Sequence, residues 1–299
     1  MSDTELSGTA SSGTASSDAE FSRIRFDHPA DGVARVTLNR PDAANAQDRE
    51  MLYEIDRAFR RATLDDAVKV IVVAAEGRHF SAGHDLRDRA DLADFDTVAL
   101  QGGFAQPGQH GMMAGEEEIY LGFCWRWRNL PKPTIVAVQG KAIAGGLMLI
   151  WPFDIVVAAD DATFADPVVA FGVNGHEFFT HVWELGPRKA KELLFRGCSF
   201  SAEEMHRLGA VNHVVPRDDL EAETLAIAAE IAEQPALGLK LAKMAVNQSL
   251  DAQGQWTAIQ AAFGLHHVGH ASASIVHGMP IDPSGAERIR RRAKDPAVS

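Results

Sequence analysis

An α/β fold is the class that this 299-residue sequence predicts, and three observations carry it. Short β-branched runs alternate with helical stretches, two of these runs end in glycine-rich bends, and the last third is mostly helical. The bends are FSAGHDLR at residues 80–87 and KPTIVAVQGKAIAGGLMLI at residues 132–150. A strand that ends in small residues, where a helix or loop begins, leaves backbone N–H groups unpaired and unshielded. Two such junctions brought together make an anion hole, the device that stabilises a thioester enolate.

The elements follow in order. Residues 1–20, rich in Ser, Thr, Gly and Ala, have almost nothing to bury and are expected to be disordered. Val33–Leu38 alternates as a strand does. The turn Asn39-Arg-Pro-Asp42 leads into a helix that puts Leu52, Ile55, Phe59 and Ala62 on one face. Residues 68–74, VKVIVVA, form a buried strand closed by Glu76-Gly77. Residues 91–115 are irregular and glycine-rich, which suits a mobile loop beside a site or a surface insertion.

A helix is expected over 116–130, stopping before Pro131. Strands follow at Thr134–Val138 and 155–158, with a helix starting at Ala144 between them. A helix over 188–195 closes at Gly197. Ser201 and Glu204 form a capping box for a helix ending at Gly209. Residues 211–215 read as strand, and helices fill 217–233 and 237–250. The chain thus divides into a tail (1–20), an α/β core (21–216) and a C-terminal helical region (217–299).

With 46% hydrophobic and 23% charged residues the chain is ordinary for a soluble globular protein. A net charge of −12 argues against a nucleic-acid surface. The one basic run, 288–292 with Lys294, reads as a solvated helix face or tail, with a phosphate-bearing ligand as the alternative. Cys124 and Cys198 are the two cysteines, so no disulfide framework or metal knuckle is implied. MSDTEL lacks the basic and apolar regions of a signal peptide, and the longest apolar run, 142–152, is too short for a bilayer. No membrane association and a cytoplasmic location are expected.

Five stretches carry a resemblance: LNRPDAANA (38–46), FSAGHDLR (80–87), KPTIVAVQGKAIAGG (132–146), FDIVVAADDATFADP (153–167) and FRGCSFSAEEMHRLGAVNHVVP (195–216). In this order and spacing the chain resembles the crotonase superfamily, the enoyl-CoA hydratase/isomerase family, across residues 22–250. The resemblance implies a ββα spiral core and a C-terminal helical region that packs against neighbours in homotrimers or dimers of trimers. It also implies an acyl-CoA substrate, with coenzyme A carried by the substrate and no separate cofactor or metal. The thioester oxygen would lie between the backbone N–H groups of His84 and Gly145. Ala44, Ala82, Asp85, Leu86 and Arg87 match the adenine and pantetheine track. Arg87 pairs there with a CoA phosphate or, alternatively, with Asp85 or Asp91 in a surface salt bridge.

The chain departs from the family's pattern where proton transfer is concerned. The two glutamates of typical hydratases fall on Met148 and Val168, which cannot move a proton and are expected to line the acyl pocket. Candidate replacements are Asp166, His176 and Glu177. Asp166 could instead cap the turn before Pro167, Glu177 could be an exposed carboxylate at a helix start, and His176 a satisfied loop residue. In the dienoyl-CoA isomerase branch a catalytic aspartate matches His176. The His84 imidazole either serves as an acid/base or bonds to Asp85 or a backbone carbonyl.

Two signals point away from metal and serine chemistry. His176, Glu177 and His181 read HExxxH, one residue too long for a zinc-binding HExxH face, and no G-x-S-x-G elbow is present. His266 and His270 have metal-ligand spacing if helical. No cysteine or acid stands near His266, His267, His270 and His277 in sequence, so they read as interface or surface histidines. The expected function is that of an enoyl-CoA hydratase-like lyase in fatty-acid or related acyl-CoA metabolism. The alternatives are an enoyl-CoA double-bond isomerase and a CoA-thioester-binding protein with little catalysis.

Overall fold

The structure, a computed structural model, describes residues 21–98 and 102–292; the tail expected at 1–20 lies outside them. The main sheet has six strands: β1 (Ile24–Ala30), β2 (Val33–Leu38), β3 (Val70–Ala75), β4 (Thr134–Val138), β6 (Ile155–Ala159) and β9 (His213–Val215). Their order is β1-β2-β3-β4-β6-β9, antiparallel at β1–β2 and parallel thereafter. A second sheet holds β5 (Lys141–Ile143), β7 (Thr163–Ala165) and β8 (Ser199–Ser201). From β4 to β7 the chain feeds one strand to each sheet in turn, which is the ββα spiral the sequence predicts.

The parallel strands are apolar on both faces because both are covered. One face carries the larger core, where α1 (Arg49–Leu64) buries Leu52, Ile55, Phe59 and Ala62 as its periodicity predicts. The other face puts Val33, Val70, Val72, Ile135 and Val157 against α6 (Leu220–Ala232). The C-terminal helical region therefore begins with a helix that belongs to the core layer. The helices that extend beyond it are α7 (Ala236–Ala252) and α8 (Gln255–His277). Buried Arg128 ties them to the rest, donating to Asn247 O (3.1 Å) and Gln255 Oε1 (2.8 Å). Among the described residues no helix is long and apolar enough to cross a membrane.

Strand β1 was not foreseen, because Asp27, His28 and Pro29 break its alternation and a register shift follows Asp27. Glu54, on the buried face of α1, anchors it by accepting the N–H groups of Ser22, Arg23 and Ile24 at 2.7, 2.7 and 3.2 Å. The expected helix 116–130 also needs correction. It starts earlier, with α2 (Gln109–Glu116), and passes through a π-helical turn at Glu117–Gly122 into α3 (Phe123–Arg128). An added Cβ at Gly122 would lie 2.5 Å from Glu117 O, so the widened turn needs glycine there. The irregular stretch thus ends at 108 rather than 115. Two further helices are α4 (His181–Arg196), broken at Gly186-Pro187, and α5 (Ala202–Leu208), where Ser201 Oγ accepts Glu204 N–H at 3.2 Å as the capping box requires.

Candidate active site

The two glycine-rich bends meet. Ser81 pairs with Ala142 and His84 with Gln47 in isolated parallel bridges, which continue the second sheet from β5 across to the bend after β3. An added Cβ at Gly83 (φ +89°) would lie 2.7 Å from Ile143 O and 3.2 Å from Gly145 N. No side chain fits between the two backbones. Gln47 Nε2 staples them, donating to Gly145 O at 2.8 Å and to Ser81 Oγ at 3.3 Å.

Among the described residues neither amide of interest has a hydrogen-bond acceptor. The Gln47 bridge uses Gly83 O and Asp85 N, at 2.8 and 2.9 Å, so the N–H of His84 itself points to the other side. After β5, Ala144 takes a left-handed conformation (φ 50°) and opens the helix expected there, which is a 3₁₀ segment, Ala144–Leu149. Gly145 is its second residue, where an N–H has no partner within the turn.

Over this junction lies the His84 ring. It stacks on Tyr120 with centroids 3.9 Å apart, and a Cβ on Gly145 would fall 2.5–2.9 Å from its atoms. His84 Nε2 stands 3.2 Å from Glu177 Oε2. The expected partners of this imidazole, Asp85 or a backbone carbonyl, are therefore wrong. Asp85 is taken by Arg40 Nη2 (3.0 Å) and by the N–H of Arg87 (3.0 Å).

Glu177 is buried, not an exposed carboxylate at a helix start; α4 begins four residues later. Burial by itself would raise its pKa, but the His84 charge and hydrogen bond, with His266 beyond, hold it well below the usual carboxylate range. Its second oxygen lies 3.5 Å from His266 Nε2. A close helix contact makes this possible: a Cβ on Gly269 of α8 would lie 2.5 Å from Gly172 O, so glycine lets α8 press against the segment carrying Glu177.

Glu116, at the end of α2, faces the same histidines. Burial, with the Glu177 charge behind it, pushes its carboxyl well above the usual range. Tyr120 is likewise held neutral by burial and by these two carboxyls. The expectation of interface or surface histidines with no acid nearby is corrected for three of the four: His266, His267 and His270 are buried within the chain and Glu116 stands among them, while His277 is exposed. Sequence reading missed Glu116 and Tyr120. A cleft of about 420 Å³, lined by Arg49, Leu92, Phe104, Gly115, Glu116 and Tyr120, opens beside them, so part of the 91–115 stretch does wall this region.

Asp166 and His176 are placed differently. Asp166 is fully buried; it accepts His176 N–H at 2.9 Å and lies 2.8 Å from His181 Nε2. Burial would raise its pKa, but His181 and His176 lower it overall. The carboxylate organises the chain around His176 and does not swing toward the bends. The His176 ring packs between Trp151 and His181, with centroids 5.1 and 4.6 Å away. Burial, reinforced by His181, pushes its pKa down to about 3.

Met148 and Cys124 are in contact below the 3₁₀ turn, where Cys124 Sγ donates to Met148 O at 3.4 Å. Met148 is buried and Val168 half-buried. On the outer side Ala82 donates its N–H to Ala44 O at 2.9 Å, and Ala82, Leu86 and Arg87 are exposed. Among the described residues the Arg87 guanidinium makes no ion pair, so the alternative bridge to Asp85 or Asp91 does not form.

The sequence model of the enoyl-CoA hydratase/isomerase family matches residues 29–281. This chain belongs to that family. EchA13 of Mycobacterium tuberculosis, whose name assigns it as an enoyl-CoA hydratase, is 41% identical over 267 residues, covering 87% of this chain and 84% of its own. The crystal structure of a probable enoyl-CoA hydratase from Mycobacterium thermoresistibile superposes with a TM-score of 0.79 at 50% identity, covering 87% of this chain and 99% of its own. A monofunctional enoyl-CoA isomerase from M. smegmatis superposes at 0.61 with 26% identity, over 77% and 94%. The family is thus represented by both reaction types among similar structures.

Proposed function

We propose that the protein is a hydratase-class enzyme of this family that acts on 2-enoyl-CoA thioesters. The observation that carries the reading is the buried, ionised Glu177 paired with His84 over the Gly83–Gly145 junction. The free N–H groups of His84 and Gly145 would hold the thioester oxygen and stabilise the enolate that forms when water adds to the β carbon. Gly145, in the first turn of the 3₁₀ segment, presents unpaired N–H groups to that charge. Glu177 would deprotonate the attacking water and return the proton to the α carbon, with the His84 imidazole orienting it. The exposed Arg87 beside Ala44 and Ala82 suits a CoA phosphate.

A second reading, double-bond isomerisation, is favoured by one observation: among the described residues Glu177 is the sole carboxylate paired to a side chain at the junction. A shuttle that takes and returns one proton needs no more. Following enone absorbance with crotonyl-CoA and with a 3-enoyl-CoA separates the two. Loss of the enone supports hydration, and its appearance supports isomerisation. Binding of both esters with turnover of neither would overturn the enzymatic reading in favour of a CoA-thioester-binding role.

For oligomerisation, α7 and α8 carry exposed apolar side chains: Leu237 (66% exposed), Leu265 (62%), Val268 (64%) and Ile275 (87%). Such a surface supports the homotrimer or dimer of trimers expected from the resemblance.

A further inference from the structure

We propose that Glu116, His266 and His270, with His267 beside them, form a binding site for a first-row divalent transition-metal ion. The proposal does not need the catalytic reading above, although His266 Nε2 also lies 3.5 Å from Glu177 Oε1. His266 and His270 stand one helical turn apart on the same face of α8, and Glu116 comes from α2, some 150 positions earlier in the chain. The donor atoms of these three residues all lie within 4.8 Å of one another.

The orientation of the rings is the stronger argument. His266 Nδ1 faces Gly175 O at 2.8 Å and His270 Nδ1 faces Pro280 O at 2.5 Å. A carbonyl oxygen can only accept, so both Nδ1 atoms carry hydrogen and the Nε2 lone pairs are turned inward. His267 repeats the pattern with Nδ1 facing Gln109 Oε1 at 3.2 Å. An imidazole fixed through one nitrogen by an oxygen acceptor, with the other left to coordinate, is the arrangement that metal ligands adopt.

The inward atoms are left without hydrogen bonds among the described residues. Glu116 Oε2 and the Nε2 atoms of His266, His267 and His270 are buried without a hydrogen-bond partner. The three histidine side chains are 4%, 7% and 6% exposed, so little of them reaches bulk water. Glu116 oxygens stand 3.9, 3.4 and 3.7 Å from the three Nε2 atoms, and none of these contacts is a hydrogen bond. An ion bonded tetrahedrally at about 2.0–2.1 Å holds its donors about 3.3–3.4 Å apart. The observed Glu116–histidine spacings lie near that edge length, slightly open. Imidazole and carboxylate donors together suit zinc, cobalt, nickel or ferrous iron rather than calcium or magnesium.

Cobalt(II) reports the site without recourse to activity. Full-length protein is treated with a chelator, then titrated with CoCl₂ while visible absorption is followed, with ZnSO₄ as the competing ion. The structure leads to saturation at one equivalent, a ligand-field band, and displacement by zinc. His270→Gln and Glu116→Gln, each checked for folding by circular dichroism, should weaken cobalt binding by about 100-fold or more, since the loss of outer partners alone costs 10–100-fold. His277→Gln, on the exposed end of α8, should bind as wild type does. Folded wild-type protein that shows no saturable cobalt band would overturn the proposal. So would binding that survives in both ligand variants.

Discussion

Glu177 and His84 are 93 positions apart, yet their side chains meet at 3.2 Å directly over the Gly145 bend. The pairing puts a carboxylate held in its ionised form beside the two free amides of the junction. Replacing Glu177 with Gln keeps the size and the capacity to bond His84 but removes the base. The kcat for crotonyl-CoA should fall by about 10²–10⁴-fold. Acyl-CoA affinity, measured by calorimetry, should change little.

The contact between His84 and Gly145 makes a non-additive prediction. Gly145→Ala inserts a Cβ 2.5–2.9 Å from the His84 ring and must displace it from Glu177. The single variant should lose most activity. In a His84→Ala background the added methyl meets no ring, so the second substitution should cost much less than it does in wild type. Equal costs in both backgrounds would show that the ring does not occupy this position.

Asp166 belongs to stability rather than to chemistry. Its carboxylate and His181 are both fully buried and bonded at 2.8 Å. Removing one partner leaves the other stranded, so Asp166→Ala should lower the unfolding free energy by about 3–5 kcal/mol in urea titrations. Where the variant is folded, its KM for crotonyl-CoA should stay near the wild-type value.

His176 gives a pH dependence with a fixed sign. In the unfolded chain the group titrates near 6.5, and in the fold near 3. Between these values the unfolded state binds the extra proton, so stability falls as pH drops through the window and is unaffected by this group above it. Urea midpoints should therefore decline on acidification from about 6.5 toward 3. His176→Phe, which keeps the packing against Trp151 and His181, should flatten that decline.

Arg87 tests the coenzyme end. Its guanidinium is exposed, and among the described residues no carboxylate pairs with it. Arg87→Ala should raise KM for CoA esters by roughly tenfold, the worth of one charge-assisted bond, with kcat unchanged. The effect should shrink as salt is added. A pantetheine ester lacking the nucleotide should show no difference between variant and wild type.

Much of the frame was legible because it is written in local periodicity. Strands β2 and β4 fall at Val33–Leu38 and Thr134–Val138 as their patterns predict, and the apolar face of α1 needs no tertiary knowledge. The two bends announced themselves by their glycines. What could not be read was pairing at a distance. Nothing near Glu54 says that it will hold three successive amides leading into β1. Nothing near His266 says that Glu116 will face it across α2 and α8. The partner of His84 was misassigned for the same reason: Asp85 is adjacent in sequence, but Arg40 claims it. The π-helical turn at Glu117–Gly122 was likewise hidden, since its cause is a contact between Gly122 and Glu117 O rather than a propensity.

A crystal structure of Glu177→Gln soaked with crotonyl-CoA is the most direct measurement. The thioester oxygen should accept from the N–H groups of both His84 and Gly145, at about 2.7–3.1 Å, with the residue 177 carboxamide facing the α and β carbons. A thioester bound away from the junction, or residue 177 turned from those carbons, would contradict the central claim.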